Sequence, residues 1–344
     1  MTKTRPRFWF SPDQRWRAVA LSPLAALYGW LAQRRRARPP RYRPFIPAVS
    51  IGNLTVGGQG KTPVALALGD ALSRRGYRPV FLLRGYGGRL KGPHQVDPAA
   101  DDWRLVGDEA LMIAQRTGCD TWIGRDRALA ARMIDEEARK NSNRVLILDD
   151  AHQNTALALD RRVVVIDGAD GFGNGRLLPA GPLREPREAG LRRADAVVLF
   201  GADSRSVLAA MPETLPVVRA TLRAIGPPGL APGQPVIGFA GIGRPAKFRQ
   251  SLAALGLDIR GFYSFPDHHG FSAGDLNRLA AAATRCGARL VTTEKDSIRL
   301  PERFRSRTTT IAAAVAWETD SALAALLGST LFTRDKSHDA AATL

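Results

Sequence analysis

Cysteine is nearly absent from these 344 residues: Cys119 and Cys286 are the only two, far apart and in no Cys-x-x-Cys pair. That excludes a disulfide framework and a cysteine-based zinc site, and it suits a reducing compartment. No run of eighteen or more uncharged apolar residues occurs, which excludes a polytopic membrane protein. Lysine is scarce, at seven of the fifty basic residues, so the basic character rests on arginine and part of it is compositional. Acids are missing from one end, because residues 1–44 hold eleven Lys/Arg and a single acid, Asp13. That segment carries +10 of the net +18 and leaves +8 for the other 300 residues. Charge so concentrated asks for an anionic partner there, a membrane surface or nucleic acid. A hydrophobic content of 44% excludes wholesale disorder, and the length allows two domains.

The basic end carries an apolar pattern. Ser22-Pro23 predicts a helix start, with Ser as the N-cap and Pro at the first helical position. Leu24, Leu27, Tyr28 and Leu31 then recur at i, i+3, i+4 and i+7 beside Trp30, and Arg34, Arg35 and Arg36 close the helix at its negative end. The apolar part, Pro23 to Ala32, is too short to span a bilayer. It fits a helix lying in the membrane interface with Trp and Arg at headgroup level; the plainer reading is a helix packed on its own domain. A signal peptide fits poorly, since arginines follow the apolar stretch and no small-residue cleavage site is clear.

After Pro44, short apolar runs alternate with helical stretches. The runs are Pro47–Ile51, Pro79–Leu83, Thr121–Ile123, Val145–Leu148, Val163–Ile166 and Ala196–Phe200, with a helix following Lys61. Such alternation predicts βαβ units around a parallel sheet. A Pro/Gly-rich stretch from Gly226 to Gly233 reads as a domain edge. Val236–Ala240, Ile259–Tyr263 and Arg289–Thr292 beyond it predict a second, smaller α/β unit. The expected organisation is a basic amphipathic segment (1–44), a larger α/β domain (45–225), a smaller one (226–333) and a polar tail (334–344).

The sharpest local signal is Gly52-Asn53-Leu54-Thr55-Val56-Gly57-Gly58-Gln59-Gly60-Lys61-Thr62-Pro63, a strand running through a Gly-rich turn into a helix. Backbone N–H groups from Thr55 to Thr62 would curl around phosphate oxygens at a helix N-terminus, Lys61 would reach the β- and γ-phosphates, and Thr62 would sit on Mg²⁺. The strict pattern wants Gly where this chain has Thr55. Val145–Leu148 ends in Asp149-Asp150, placed like a Walker B acid for the metal; the plainer reading is a solvated strand-end pair. ATP and Mg²⁺ are the implied cofactors, and the fold class is α/β, a P-loop NTPase-like parallel sheet domain with a second, smaller α/β domain and an N-terminal amphipathic helix.

In these strings the chain resembles the tetraacyldisaccharide 4′-kinases, the lipid A 4′-kinases of Gram-negative bacteria, which carry Thr or Ser at the position of Thr55. Further matches are Arg84-Gly85-Tyr86-Gly87-Gly88, Val106-Gly107-Asp108-Glu109, Asp167-Gly168 with Gly171-Phe172-Gly173-Asn174-Gly175, Leu177 to Pro186, Phe265-Pro266-Asp267-His268-His269 and Thr292-Thr293-Glu294-Lys295-Asp296. Several unusual strings in one order, over roughly residues 20–300, are more specific than one phosphate loop. The resemblance implies a kinase that moves the ATP γ-phosphate to the 4′-hydroxyl of a tetraacylated disaccharide 1-phosphate, giving the bisphosphorylated lipid A precursor. It implies a peripheral place on the cytoplasmic face of the bacterial inner membrane, with the N-terminal helix on an anionic surface. It implies Asp108 as base for the 4′-hydroxyl and His268 as its partner delivered by the second domain; Glu109 could bind the metal or its waters with Asp149 and Asp150, and the plainer readings are an acidic helix N-terminus for Asp108-Glu109 and a surface loop for His268-His269. Arg84 and Arg184, in Gly/Pro-rich loops, would bind phosphate or sugar, or form ordinary ion pairs. One departure stands out: the family continues the paired acids with Gly-Leu/Phe-Gln-His, whereas this chain has Ala151-His152-Gln153-Asn154. Whatever the family's His does there is not carried over.

Rival readings are a different P-loop small-molecule kinase, a GTPase, a nucleic-acid-binding ATPase and a non-catalytic paralogue. No Asn-Lys-x-Asp string specifies guanine, and the positive charge clusters on an aromatic helix instead of a nucleic-acid-reading motif, so no nucleic-acid partner is expected.

Overall fold

A computed structural model describes residues 6–11, 14–138, 143–319 and 321–328. Asp13 and the polar tail expected from Arg334 lie outside the described residues.

The twelve strands are β1 (Ala48–Gly52), β2 (Arg78–Leu83), β3 (His94–Gln95), β4 (Thr121–Ile123), β5 (Arg144–Asp149), β6 (Arg161–Asp167), β7 (Ala196–Phe200), β8 (Val217–Ile225), β9 (Pro235–Ala240), β10 (Asp258–Ser264), β11 (Arg289–Thr293) and β12 (Thr308–Trp317). They form one sheet in the order β10-β9-β11-β12-β8-β7-β6-β1-β5-β2-β4-β3. Strands β8 to β4 in that order are parallel, with β3 an antiparallel edge, and β10 to β12 make a second parallel block. The apolar runs expected as buried strands are buried, because helices cover both faces: β1 and β7 are buried along their whole length.

The sequence reading has no strand at β8 or β12, and these two long strands join the blocks. Val217–Ala220 of β8 pair with β7, while Ala220–Ile225 pair antiparallel with Trp317–Ala312 of β12. The other end of β12, Thr308–Ile311, pairs with β11. The expected smaller unit therefore shares a continuous sheet with the larger one.

Helices of the first block are α1 (Arg15–Ala20), α2 (Ser22–Arg36), α3 (Lys61–Arg74), α4 (Trp103–Val106), α5 (Asp108–Thr117), α6 (Arg127–Ala138) and α7 (Arg187–Arg192). The second block adds α8 (Pro245–Ala254), α9 (Ala273–Arg285), α10 (Glu294–Ser297) and α11 (Glu302–Arg305). The last described helix, α12 (Ala322–Leu327), returns to the first block's core, where Leu326 and Leu327 are fully buried, although the sequence assigned this stretch to the second unit. The antiparallel turn-back of β12 along β8 brings it there.

At the N-terminus Ser22 is not a cap. The chain passes from α1 to α2 through Leu21 in helical conformation, and the Ser22 hydroxyl donates to the Ala18 carbonyl within one continuing turn. The periodic stripe also divides. Ala25 is buried, Tyr28 donates its hydroxyl to the Arg184 carbonyl, and Arg36 lies 3.8 Å from the buried Glu185. Leu24, Leu27, Trp30 and Leu31 face outward with 44–55% of their surface exposed, joined by Trp16 and Val19 of α1. The Arg34 guanidinium lies 4.3 Å over the Trp30 ring. Among the described residues no helix is long and apolar enough to cross a membrane.

Candidate active site

The phosphate loop leaves β1 at the point where the chain crosses between the β5 and β6 sides of the sheet, the position where ligands of open α/β sheets bind. Gly60 turns into α3 with φ +89°, and a Cβ there would lie 2.7 Å from Cε2 of Phe200, so glycine is required on both counts. Thr55 does not share that left-handed conformation, and nothing in its backbone calls for glycine. It works as an anchor: its backbone bridges Leu183, and its hydroxyl accepts the Gln59 amide at 3.0 Å. Gln59 in turn accepts the Asp167 N–H at 2.7 Å. Val56 donates to the Pro182 carbonyl and Arg184 to that of Leu54, both at 2.8 Å, so the Leu177–Pro186 string holds the loop from outside. Inside it, Asn53 donates to the Thr55 carbonyl at 2.7 Å and receives Lys61 Nζ at 3.3 Å.

The Thr62 hydroxyl donates to Oδ2 of Asp149 at 2.8 Å. The Oδ1 of this buried carboxylate has no hydrogen-bond partner among the described residues. Burial, then the Glu109 charge, pushes Asp149 up to about 7 against the pull of Lys61. Asp150 adopts φ +52° and reaches outward, with Lys61 at 3.4 Å and Arg184 at 2.8 Å. Burial opposes its charge, but Lys61 and Arg184 win and hold it well below the usual carboxylate range. The buried Arg127 guanidinium donates to the carbonyls of Gly124 and Asp149 and so fixes the end of β5.

A buried carboxylate with an orphaned oxygen beside a threonine hydroxyl is a donor set that fits a hard divalent cation. No group of three or more His, Cys, Asp or Glu able to hold a metal exists among the described residues. Mg²⁺ is commonly held through one or two protein oxygens plus phosphate and water.

Opposite this half lies the N-terminus of α5. Asp108 is 2% exposed, and both its oxygens lie against Nδ1 of His268, at 2.9 and 3.1 Å. His268 comes from the loop after β10 and holds φ +59°, with its N–H on the Gly241 carbonyl. Burial works against the Asp108 charge, but the His268 hydrogen bond and the Lys295 and Arg299 charges outweigh it and keep the group ionised. Arg299 is fully buried behind the pair, 3.5 Å from Asp108, and donates to the His269 and Gly241 carbonyls. Glu109 accepts from Lys295 at 3.1 Å, so a place on the metal would mean sharing that ammonium. The Tyr86 ring packs 4.9 Å from the His268 ring. Arg84 is exposed at the end of β2.

The altered stretch after Asp150 packs against the base of the loop. His152 is fully buried, its Cβ lies where a Cβ on Gly52 would fall (2.4 Å), and Nε2 pairs with the Gly190 carbonyl at 3.0 Å. Gln153 bridges the Asn53 carbonyl and Glu185, each at 2.9 Å. Asn154 accepts the Ala156 N–H in a turn. The sequence reading gave no role to Asn53, Arg127, Lys295 or Arg299. Asn53 and Lys295 lie within strings that were singled out, whereas Arg127 and Arg299 carry no local signal, because only tertiary packing buries them.

A Lys-Thr loop before a helix, a strand-end aspartate on the threonine, and a carboxylate–imidazole pair whose two members come from different blocks are the parts of a P-loop phosphotransferase. The family model described as tetraacyldisaccharide-1-P 4′-kinase matches residues 17–331. The chain belongs to that family and is a kinase of that kind, acting in lipid A biosynthesis. It is 46% identical over 312 residues to a tetraacyldisaccharide 4′-kinase of Gluconacetobacter diazotrophicus, covering 91% of this chain and 93% of the relative. With that of Paramagnetospirillum magneticum it shares 43% over 326 residues, covering 93% and 97%. A crystal structure of LpxK from Aquifex aeolicus in complex with ATP superposes with a TM-score of 0.72 at 28% identity, covering 90% of this chain and 98% of that one.

Proposed function

We propose that the chain binds ATP on the Thr55–Thr62 loop and passes its γ-phosphoryl to the 4′-hydroxyl of tetraacyldisaccharide 1-phosphate, with the roles below. The observation that carries this reading is the pair of half-sites, Lys61, Thr62 and Asp149 in one and Asp108 with His268 in the other, with the charge of Glu109, next to Asp108, acting on Asp149. Lys61, now shared between Asn53 and Asp150, would turn to the β- and γ-phosphate oxygens. Thr62 and Asp149 would hold Mg²⁺, with Asp150 and Glu109 next to it. Bound there, the ion would supply positive charge to the phosphate oxygens. Asp108 takes the hydroxyl proton while the 4′-oxygen forms its bond to phosphorus and ADP departs. The His268 Nδ1–H holds the Asp108 carboxylate in place for that transfer. Arg184, at the rim beside Asp150, and Arg84, at the end of β2, face the acceptor's phosphate and sugar.

The acceptor carries four acyl chains and stays in a bilayer. The outward row Leu24, Leu27, Trp30 and Leu31, flanked by Arg34 and Arg35, supports docking of α2 in the interface of an anionic membrane, and a peripheral enzyme on the cytoplasmic face of the inner membrane would meet its acceptor there. The test is purified protein with labelled ATP, Mg²⁺ and the tetraacyl disaccharide 1-phosphate in detergent. Label is expected to move to the lipid on chromatography, and ATP consumption without a labelled lipid would refute the reading.

A further inference from the structure

The string Thr292–Asp296 has no part in the reaction as described, yet it places a lysine at the centre of the site. Thr293 caps the short helix α10, exchanging hydrogen bonds with Asp296. The next two residues point along α5 in opposite directions: Glu294 accepts from Arg116 at 2.6 Å, and Lys295 donates to Glu109 at 3.1 Å. The ammonium of Lys295 also lies 3.5 Å from Asp267 and 3.3 Å from Nε2 of His268. Burial works against its charge, but Glu109, Asp108 and Asp267 outweigh it, so the group is a donor only.

Two constraints now meet on one ring. An ionised Asp108 can only accept, so Nδ1 of His268 must carry hydrogen. An ammonium can only donate, so Nε2 must offer its lone pair. The other acceptor near Nε2, Asp267 Oδ1, is 3.8 Å away and outside hydrogen-bond range. The neutral ring with its proton on Nδ1 is the one form that satisfies both partners.

We propose that Lys295 is a positioning residue of the transfer step, occupying Nε2 of His268 so that the ring keeps its proton on Nδ1, aimed at Asp108. This rests on the Asp108–His268 reading above. Lys295 then acts through His268 and not on the substrate, and it ties the imidazole to Glu109 beside Asp149.

The test uses the full chain in detergent with Mg²⁺-ATP and the tetraacyl lipid. Lys295→Met should lower kcat about tenfold or more, with both KM values within about twofold. Lys295→Arg, which keeps charged donors, should recover most of it. In a His268→Ala background, Lys295→Met should cost less than about twofold further. Independently of any folding defect in the Met variant, two-bond ¹H–¹⁵N spectra of the wild-type chain, with His268 assigned through His268→Ala, should show a neutral ring protonated on Nδ1. A ring protonated on Nε2, or Lys295→Met losses fully additive with His268→Ala, would overturn the proposal. A costly His268→Ala with a silent Lys295→Met removes the role of Lys295 alone, whereas a silent His268→Ala removes the Asp108–His268 reading itself.

Discussion

Acidification should expose the histidine that this chain carries two residues after the paired acids. His152 is fully buried, its Nε2 pairs with the Gly190 carbonyl, and its Nδ1 has no partner among the described residues. Protonation would put a charge in the core and a second N–H with nowhere to go. Burial accordingly lowers its pKa from 6.5 to about 4, although Glu185 lies 4.0 Å away and pulls the other way. A depressed histidine pKa stabilises the fold above the unfolded value and loses that contribution as pH falls through the folded one. That lowering corresponds to about 3 kcal/mol, of which somewhat under half is gone by pH 5.5. Asp149, raised by burial, has the opposite slope between pH 4 and 7, so wild-type stability alone would blur the signal. The clean measurement is the difference between wild type and His152→Leu, by urea unfolding from pH 7.5 to pH 4.5. The substituted leucine leaves the Gly190 carbonyl unpaired at every pH, a constant offset. The wild type should lose about 2 to 3 kcal/mol relative to the variant across that range. A difference that stays flat would show that His152 is not held neutral, and the account of its burial would fail.

Three further outcomes follow from the site. Lys61→Ala should leave the fold intact and lower turnover about 10²-fold or more, because a charge aimed at the transferring group is lost; near-normal labelled-phosphate transfer would sink the assignment of the ATP site. Asp108→Ala, His268→Ala and the double variant should cost about the same, since the pair acts as one unit; additive losses in initial rates would separate them. Leu27→Glu with Trp30→Glu should release the protein from anionic vesicles in a flotation assay and raise the KM for bilayer-presented lipid, while leaving ATP binding unchanged. High salt should release it only partly, because charge attraction decays over about 8 Å and apolar burial does not; unchanged flotation of the double variant would move the membrane contact elsewhere.

What could be read from the chain in advance was whatever is written locally. The parallel strands from Ala48 to Phe200 are apolar runs with turn residues at their ends, and each stands within two residues of its expected limits. The phosphate loop is a string, and so are the Asp-Asp and His-His pairs. The strands that escaped are those whose signal is ambiguous. β12 begins Thr-Thr-Thr-Ile and continues Ala-Ala-Ala-Val-Ala, and alanine favours helix strongly enough to hide a strand whose pairing is set by tertiary context. β8 alternates, but with arginine at 219 and 223, it reads as a surface segment. Missing these two meant missing the continuity of the sheet. The face of α2 was equally ambiguous: Leu24, Leu27, Tyr28 and Leu31 share one arc by spacing, and only the carbonyl of Arg184, reached by Tyr28, decides which side turns inward.

The way the two blocks touch has a consequence for catalysis. The sheet joins them through the β8–β12 pair, but the site is made by side chains that cross between blocks: Asp108 to His268, Glu109 to Lys295, Arg116 to Glu294, and Asp167 to both Arg244 and Lys247. Four of these are pairs of opposite charge with at least one partner partly exposed, and such pairs hold weakly in water compared with packed apolar surface. The backbone ladder is therefore the permanent connection and the ion pairs the replaceable one. Gln59 of the loop holds the backbone of Asp167, whose carboxylate pairs with Arg244 and Lys247, so one residue links the loop to the bridge between the blocks. Asp108 and His268 sit on opposite sides of the seam. If Asp108 serves as the base, its imidazole partner comes from the other block, so displacing that block would leave the carboxylate without it.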